Sequence, residues 1–222
     1  MLIQKDSCEQ SVATSQWKVV ADAVRQGMLN GEYVPGQRLA EDDLARRYSS
    51  SRFLVRRALD QLAAEDLVDQ LPNRGARLRQ PSVATAIELY TARGALDALV
   101  ATEAASIATS YLARSLTVVR GELVRAAHDN DVCRFGRARA ETADLLGAIS
   151  GQVEGGRLAK QTTMRLWWYR RRLVTGRRPP HVVVNDIVTL IDAVHARDAT
   201  AAREAVSAHL SAVCVALRVL EP

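Results

Sequence analysis

The sequence predicts a mainly α protein of two domains, a small helical module closed by a β-hairpin followed by an all-α bundle. Three observations carry this expectation. Alanine, leucine, arginine and valine dominate, while phenylalanine occurs only at Phe53 and Phe135, a mixture that favours helix over sheet. Apolar residues recur at three- and four-residue spacing through most of the chain, and strict alternation is confined to a short stretch around residue 70. Pro81-Ser82 then interrupts the pattern, and nothing beyond it alternates as a strand would.

Residues 1–15 are polar and unpatterned and read as an N-terminal arm. A first helix is expected from about Gln16 to Asn30, because Trp17, Val20, Ala21, Val24 and Met28 share one face. Asn30-Gly31 tolerates positive φ and ends it, and Val34-Pro35-Gly36 forces a turn. A second, short helix starts near Glu41, with Leu44, Ala45 and Tyr48 inward. Ser49-Ser50-Ser51 interrupts it before Val55, Ala58, Leu59 and Leu62 resume the helical period, and Ser51 or Ser50 can accept a hydrogen bond from a free amide of the new helix. Val68-Asp69-Gln70-Leu71 and Ala76-Arg77-Leu78-Arg79 alternate on either side of the turn signal Pro72-Asn73-Arg74-Gly75. Residues 16–80 therefore read as a winged helix-turn-helix with a small β-hairpin wing. After a short linker, residues 84–222 read as an all-α helical bundle of six helices, over about 84–110, 112–129, 131–151, 156–175, 183–196 and 199–219. Asp198 is a good N-cap for the last of them.

The 222 residues suffice for two domains with separate cores, and 48% hydrophobic against 25% charged residues is the balance of a folded chain. The formal charge is +5 and the pI about 9.4, which suits a polyanionic partner. Between Leu44 and Arg79, eight arginines face Asp60, Glu65, Asp66 and Asp69, so most of the excess lies in the first module. Cys8, Cys133 and Cys214 are odd in number and widely spaced, which speaks against disulfides or a zinc knuckle and for reduced thiols in the cytoplasm. No secretory leader pattern and no long uncharged apolar run is found, so neither secretion nor a membrane partner is expected.

In a helix-turn-helix the second helix enters the major groove of double-stranded DNA. With Val55, Ala58, Leu59 and Leu62 buried, Ser51, Arg52, Arg56 and Arg57 face outward near the helix start, where arginine can donate two hydrogen bonds to guanine. Arg46, Arg47 and the wing residues Arg74, Arg77 and Arg79 are expected to meet phosphate or enter the minor groove, and Gly75 suits a wing tip close to DNA.

Asn30-Gly31, Pro35-Gly36-Gln37-Arg38-Leu39, Leu44-Ala45, Ser51-Arg52, Val55-Arg56 and Ala58-Leu59 stand in the order and spacing of the GntR family of bacterial regulators, which residues 17–79 resemble. The resemblance implies operator contacts by Ser51, Arg52, Arg56, Arg74 and Gly75. Where the family usually reads Gly-Val-Ser-Arg-Thr-Pro-Val-Arg-Glu, this chain has Ser49-Ser50-Ser51-Arg52-Phe53-Leu54-Val55-Arg56-Arg57, so its operator is its own. Glu88-Leu89-Tyr90-Thr91-Ala92-Arg93, Leu96-Asp97, Ala193-Val194, Asp198, Ala201-Ala202 and His209-Leu210 similarly resemble the FCD domain of the FadR-like subgroup, over about residues 84–219.

Many FCD domains hold a divalent metal through an aspartate, a histidine four residues on and two later histidines. Anchored on Ser150-Gly151-Gln152, those positions fall here on Arg139, Ala143, Ile187 and His209, so the metal site is expected to be lost and no cofactor is expected. His181 and His195 stand at other spacings and read as ordinary surface or core histidines. Two expectations compete for Arg139: with Arg93, and beside His209, it binds a small anionic effector directly, or the cavity has collapsed or Arg139 turns outward to pair with Glu141 or Glu103. The basic run from Lys160 to Arg178, with Trp167, Trp168 and Tyr169, reads as inward aromatics under a solvated arginine face.

Catalytic motifs are absent, so an enzyme is not expected. The sequence thus points to a ligand-responsive transcriptional regulator, most simply a repressor, acting as a homodimer on two half-sites of operator DNA, with the effector changing the placement of the two reading heads. A protein-docking module derived from a winged helix is the alternative.

Overall fold

The computed structural model describes the backbone of residues 4–71, 75–107 and 110–220, with side chains over 16–71, 75–107 and 114–220. The chain divides between Gln80 and Pro81 into two compact units.

The first unit opens with α1 (Gln4–Asn30), which begins earlier than the Gln16 expected. Residues 4–15 contain no glycine or proline, so a helix anchored by the buried face Val20, Ala21, Val24 and Met28 propagates back through them. It ends as Asn30-Gly31 predicts: Gly31 takes φ +77°, and the Glu32 N–H donates to Gly27 O at 2.8 Å, closing the helix end. α2 (Glu41–Arg47) and α3 (Arg52–Ala64) follow. Ser49, in the turn between them, takes φ +47°, a left-handed conformation at the position where the resembled pattern has glycine.

The wing is a three-stranded antiparallel sheet rather than a simple hairpin. β1 (Arg38–Leu39) joins β2 (Val68–Leu71) and β3 (Gly75–Leu78) in the order β1-β3-β2. Two residues are too few to show alternation, which is why β1 left no trace in the sequence. Pairing of Val68 with Leu78 and of Leu71 with Gly75 turns Val68, Ala76 and Leu78 onto the core formed by α1 and α3. The turn residues Pro72, Asn73 and Arg74 lie outside the described residues.

Gly75 is required by the sheet itself. Its φ is +84°, and a Cβ would stand 2.2 Å from Leu39 O in β1. Gly75→Ala is therefore expected to lower the unfolding free energy by about 1–3 kcal/mol from backbone strain alone, and by more once β1 is displaced. Urea unfolding of the full chain checks this; an unchanged midpoint would count against the β1–β3 register.

The second unit consists, among the described residues, of seven helices: α4 (Val83–Ile107), α5 (Ser110–His128), α6 (Val132–Ser150), α7 (Val153–Arg165), α8 (Trp167–Thr175), α9 (Pro180–His195) and α10 (Ala199–Arg218). Six were expected, because helical periodicity runs on through 156–175. The actual helix starts at Val153 and breaks at Leu166, whose N–H turns to Thr163 O at 3.2 Å. Burial explains the break, since the consecutive Leu166 and Trp167 are both enclosed, and the change of direction lets both enter the core. The cap at Asp198 agrees with the sequence, its Oδ1 accepting from Ala201 N–H at 2.9 Å, and the structure adds a cap at Asp131, which accepts from Arg134 N–H at the start of α6.

One core joins α4, α5, α6, α9 and α10 around Leu116, Leu123, Phe135 and Ile191, and a second joins Tyr90 of α4, Leu166, Tyr169 and Leu173 near α8, and Leu217 of α10. A bidentate Arg120–Asp192 pair, at 2.9 and 3.1 Å, ties α5 to α9. No helix among the described residues is long and apolar enough to cross a membrane.

Candidate nucleic-acid interface and arginine-lined cavity

α3 is built to present arginines. Ser51 Oγ accepts from the Leu54 N–H at 3.3 Å and sets the helix start, and Leu54, Val55, Ala58, Leu59 and Leu62 form the buried stripe. What remains outward is Arg52, Phe53, Arg56, Arg57 and Asp60. The guanidiniums of Arg52 and Arg56 meet the acidic first turn of α2. Arg52 Nε lies 2.5 Å from Asp42 Oδ1, and Arg56 donates to both oxygens of Glu41 at 3.1 and 2.8 Å, holding that carboxyl below its usual range. Both arginine side chains are about two-thirds exposed, at 71% and 65%. Solvent screens such pairs, so they are exchangeable for a nucleic-acid contact rather than locked.

Around this face, Arg57 stacks its guanidinium 5.3 Å from the centre of the Trp17 ring. Arg47 pairs with Glu32 and lies over Tyr33 and Tyr48, whose hydroxyls are 2.8 Å apart, and Arg46 pairs with Asp43 at 2.5 Å. In the wing Arg77 is exposed, whereas Arg79 is engaged by Asp66 and Asp69 at 2.5 Å each. Gly75 touches β1, and Arg74 lies outside the described residues.

In the second unit, a cavity of about 550 Å³ opens between helices. Its wall is mostly apolar, including Val100, Leu146, Ala159, Leu190 and Val206, and Arg93, Asp97, Arg139, Asp186 and His209 converge on it. The resembled metal positions Arg139, Ala143, Ile187 and His209 all lie on this one wall. Arg139 points inward, so pairing with Glu141 or Glu103 is not what it does: its Nη2 donates to His209 Nε2 at 3.2 Å. The other ring nitrogen, Nδ1, then carries the proton and donates to Asp186 Oδ2 at 2.8 Å, and Arg178 completes the chain through the same carboxylate oxygen.

The positive charge here is crowded. Burial, then the neighbouring Arg93 charge, lowers the pKa of Arg139, and burial, reinforced by Arg139 and Arg93, pushes Arg170 down to about 9. Burial likewise raises the Tyr90 hydroxyl. Arg93 Nε stands 3.1 Å from Asp97 Oδ2 without hydrogen-bond alignment, and the Nε atoms of Arg93, Arg170 and Arg178 are enclosed with no acceptor among the described residues. Arg170 and Arg178 thus correct the expectation of a purely solvated arginine face, while Trp167 and Tyr169 are buried as expected. The sequence named Arg93, Arg139 and His209 for this place but missed Asp97 and Asp186, and it missed the enclosure of Arg170 and Arg178. Basic residues in a run look like surface until the break at Leu166 redirects them.

The donor set does not fit a divalent ion. Both nitrogens of His209 are engaged, an arginine lies against one of them, and no group of three or more metal-ligating side chains occurs among the described residues. His181 is exposed and His195 lies by Thr117 at 3.4 Å, away from the cavity.

His209 also couples this wall to pH. Burial lowers its pKa below the ordinary 6.5, opposed by the Asp186 hydrogen bond and reinforced by Arg139. The unfolded chain therefore takes up the proton first, so stability is full above about pH 6.5 and declines as pH falls toward the lower, folded-state value. Asp186, held below its ordinary value chiefly by the His209 hydrogen bond, adds a further loss in more acid solution. The urea midpoint is expected to fall between about pH 7 and pH 5.5 in the wild type and to be flatter in His209→Leu; equal slopes would place the titration elsewhere.

Comparison with known proteins agrees with this division of labour. Residues 17–78 match the sequence model of bacterial regulatory proteins of the gntR family, and residues 88–212 match that of the FCD domain. Over 133 residues the chain is 28% identical to an HTH-type transcriptional regulator from the TAR-I ttuE-ttuC' intergenic region of Agrobacterium vitis, covering 59% of this chain and 78% of the relative. Among solved structures, E. coli McbR/YncC superposes with a TM-score of 0.80 at 17% identity, over 93% of this chain and 99% of the other. A transcriptional regulator designated GntR from Rhodococcus sp. RHA1 gives 0.79 at 21% identity, over 94% and 100%. At these identities the two structures are similar in fold.

Proposed function

The chain belongs to the gntR family of bacterial regulatory proteins and carries an FCD domain, which makes it a ligand-responsive, DNA-binding transcriptional regulator, and from that premise we propose that its effector is a small organic anion held by arginine without a metal ion. One observation carries the proposal: Arg93 and Arg139 converge on an apolar-walled cavity, with Arg170 adding its charge, and together they hold more positive charge than Asp97 and Asp186 offset. A carboxylate or phosphate entering there meets the guanidinium groups of Arg93 and Arg139, which line the cavity, and it relieves repulsion between guanidiniums in surroundings of low polarity. The apolar wall accommodates the remainder of the ligand. Such an anion would link α4, α6 and α10, the helices that supply Arg93, Arg139 and His209.

On the DNA side, α3 is read as the helix in the major groove, with Arg52 and Arg56 on base edges and Ser51 at its cap. Arg46, Arg47 and Arg57 are read as phosphate contacts, and Arg74 and Gly75 as further DNA contacts from the wing. The protein acts as a cytoplasmic homodimer on two half-sites and represses by occupying a promoter, with no catalytic role. The test is selection of duplexes from a random pool by the full chain, followed by titration of the selected duplex with and without anions that raise the melting temperature. The reading requires an enriched sequence and an affinity that changes with the anion. An unenriched pool would favour a docking module, and an affinity indifferent to every stabilising anion would remove the effector assignment.

A further inference from the structure

Phe53 is out of place by the ordinary rules of burial. It is 69% exposed on α3, while the core beneath that helix is completed by Leu54, Val55, Ala58, Leu59 and Leu62 without it. Among the described residues no ring or guanidinium stacks on it. It is the second residue of the helix, next to Arg52 and one turn before Arg56 and Arg57, so the apolar ring sits among cations on the outward face. Stability does not call for an aromatic here.

A major groove presents hydrogen-bond donors and acceptors along its floor and one apolar feature, the 5-methyl group of thymine. The start of a reading helix is the part that meets base edges. A phenyl ring has no conventional hydrogen-bonding group, so next to a base edge its largest gain comes from covering that methyl. Arg52 and Arg56 supply the attraction and the polar contacts that bring the ring there. We propose that Phe53 is a specificity-determining residue that packs against the 5-methyl group of a thymine in each half-site. This rests on the reading of α3 as the helix that enters the groove.

The experiment starts from the duplex selected by the wild-type chain and replaces each thymine in turn with deoxyuridine, which deletes the methyl and keeps every hydrogen bond. At one position per half-site the wild type is expected to bind about fourfold more weakly, the fold-change for exposing one buried methyl. At that same position Phe53→Ala is expected to bind thymine and uracil equally, and Phe53→Leu to keep part of the preference. Both variants should melt with the wild type, because the side chain lies outside the core. A wild type indifferent to every thymine methyl overturns the inference, as does undiminished discrimination by Phe53→Ala. Failure to enrich any duplex instead overturns the reading of α3 itself, and the role of Phe53 with it.

Discussion

Replacing Arg139 with methionine is expected to abolish stabilisation by anions while leaving the unliganded protein about as stable as the wild type. The second half follows from electrostatics. Arg139 is half-buried beside Arg93, and both burial and that neighbour disfavour its charge. Relief of that repulsion is expected to offset the cost of about 1–3 kcal/mol of leaving His209 Nε2 without its donor. The first half follows from ligand linkage. An anion at about a hundred times its Kd stabilises the wild type by about 2.7 kcal/mol, a rise in melting temperature of about 5–10 °C for a chain of this size. Losing two charge-assisted hydrogen bonds, at about 1.5–3 kcal/mol each, weakens binding by a hundredfold or more, and the same anion concentration then contributes about 0.4 kcal/mol or less. Thermal melts with a panel of aliphatic carboxylates and inorganic phosphate, with uncharged amides as controls, decide the matter. An Arg139→Met protein that melts lower and still responds to anions would reverse both assignments, making the arginine a structural element.

Arg52→Ala is expected to weaken binding to the selected duplex by about 10–100-fold, with relaxed preference at one base pair and an unchanged melting temperature. The free protein loses only an exposed pair with Asp42, whereas the complex loses hydrogen bonds to a base edge. Arg46→Ala, beside the same face but off the helix start, should instead weaken all sequences alike and reduce the salt dependence by about one counterion. If Arg52→Ala behaved as Arg46→Ala does, Arg52 would be a phosphate contact, and base reading would fall to Arg56.

The two halves of the molecule were legible in the sequence to different degrees. In the first unit the buried stripe of α3, its serine cap and its outward arginines follow from spacing alone, because each depends on contacts within a few residues along one helix. The strand β1 does not, since two residues carry no period. The break at Leu166 does not either, because apolar periodicity continues across it and only the burial of Leu166 beside Trp167 decides the change of direction.

The cavity shows the same division more sharply. Sequence likeness placed Arg139, Ala143, Ile187 and His209 at corresponding positions on three helices, and those positions do share one wall. Which way Arg139 turns was open, since outward pairing with a nearby glutamate was equally compatible with the order of residues. Asp186 decides it by fixing the His209 tautomer, which leaves Nε2 to accept from Arg139.

The sequence by itself determined most of the helices, the caps at Ser51 and Asp198, the outward arginines of α3 and the residue types at Arg139, Ala143, Ile187 and His209, because these are matters of local period and residue type. Tertiary structure alone decided that arginines from α4, α6 and α8 share one poorly screened neighbourhood. Charge crowding of that kind depends on distances between segments far apart in the chain, and no local pattern encodes those distances.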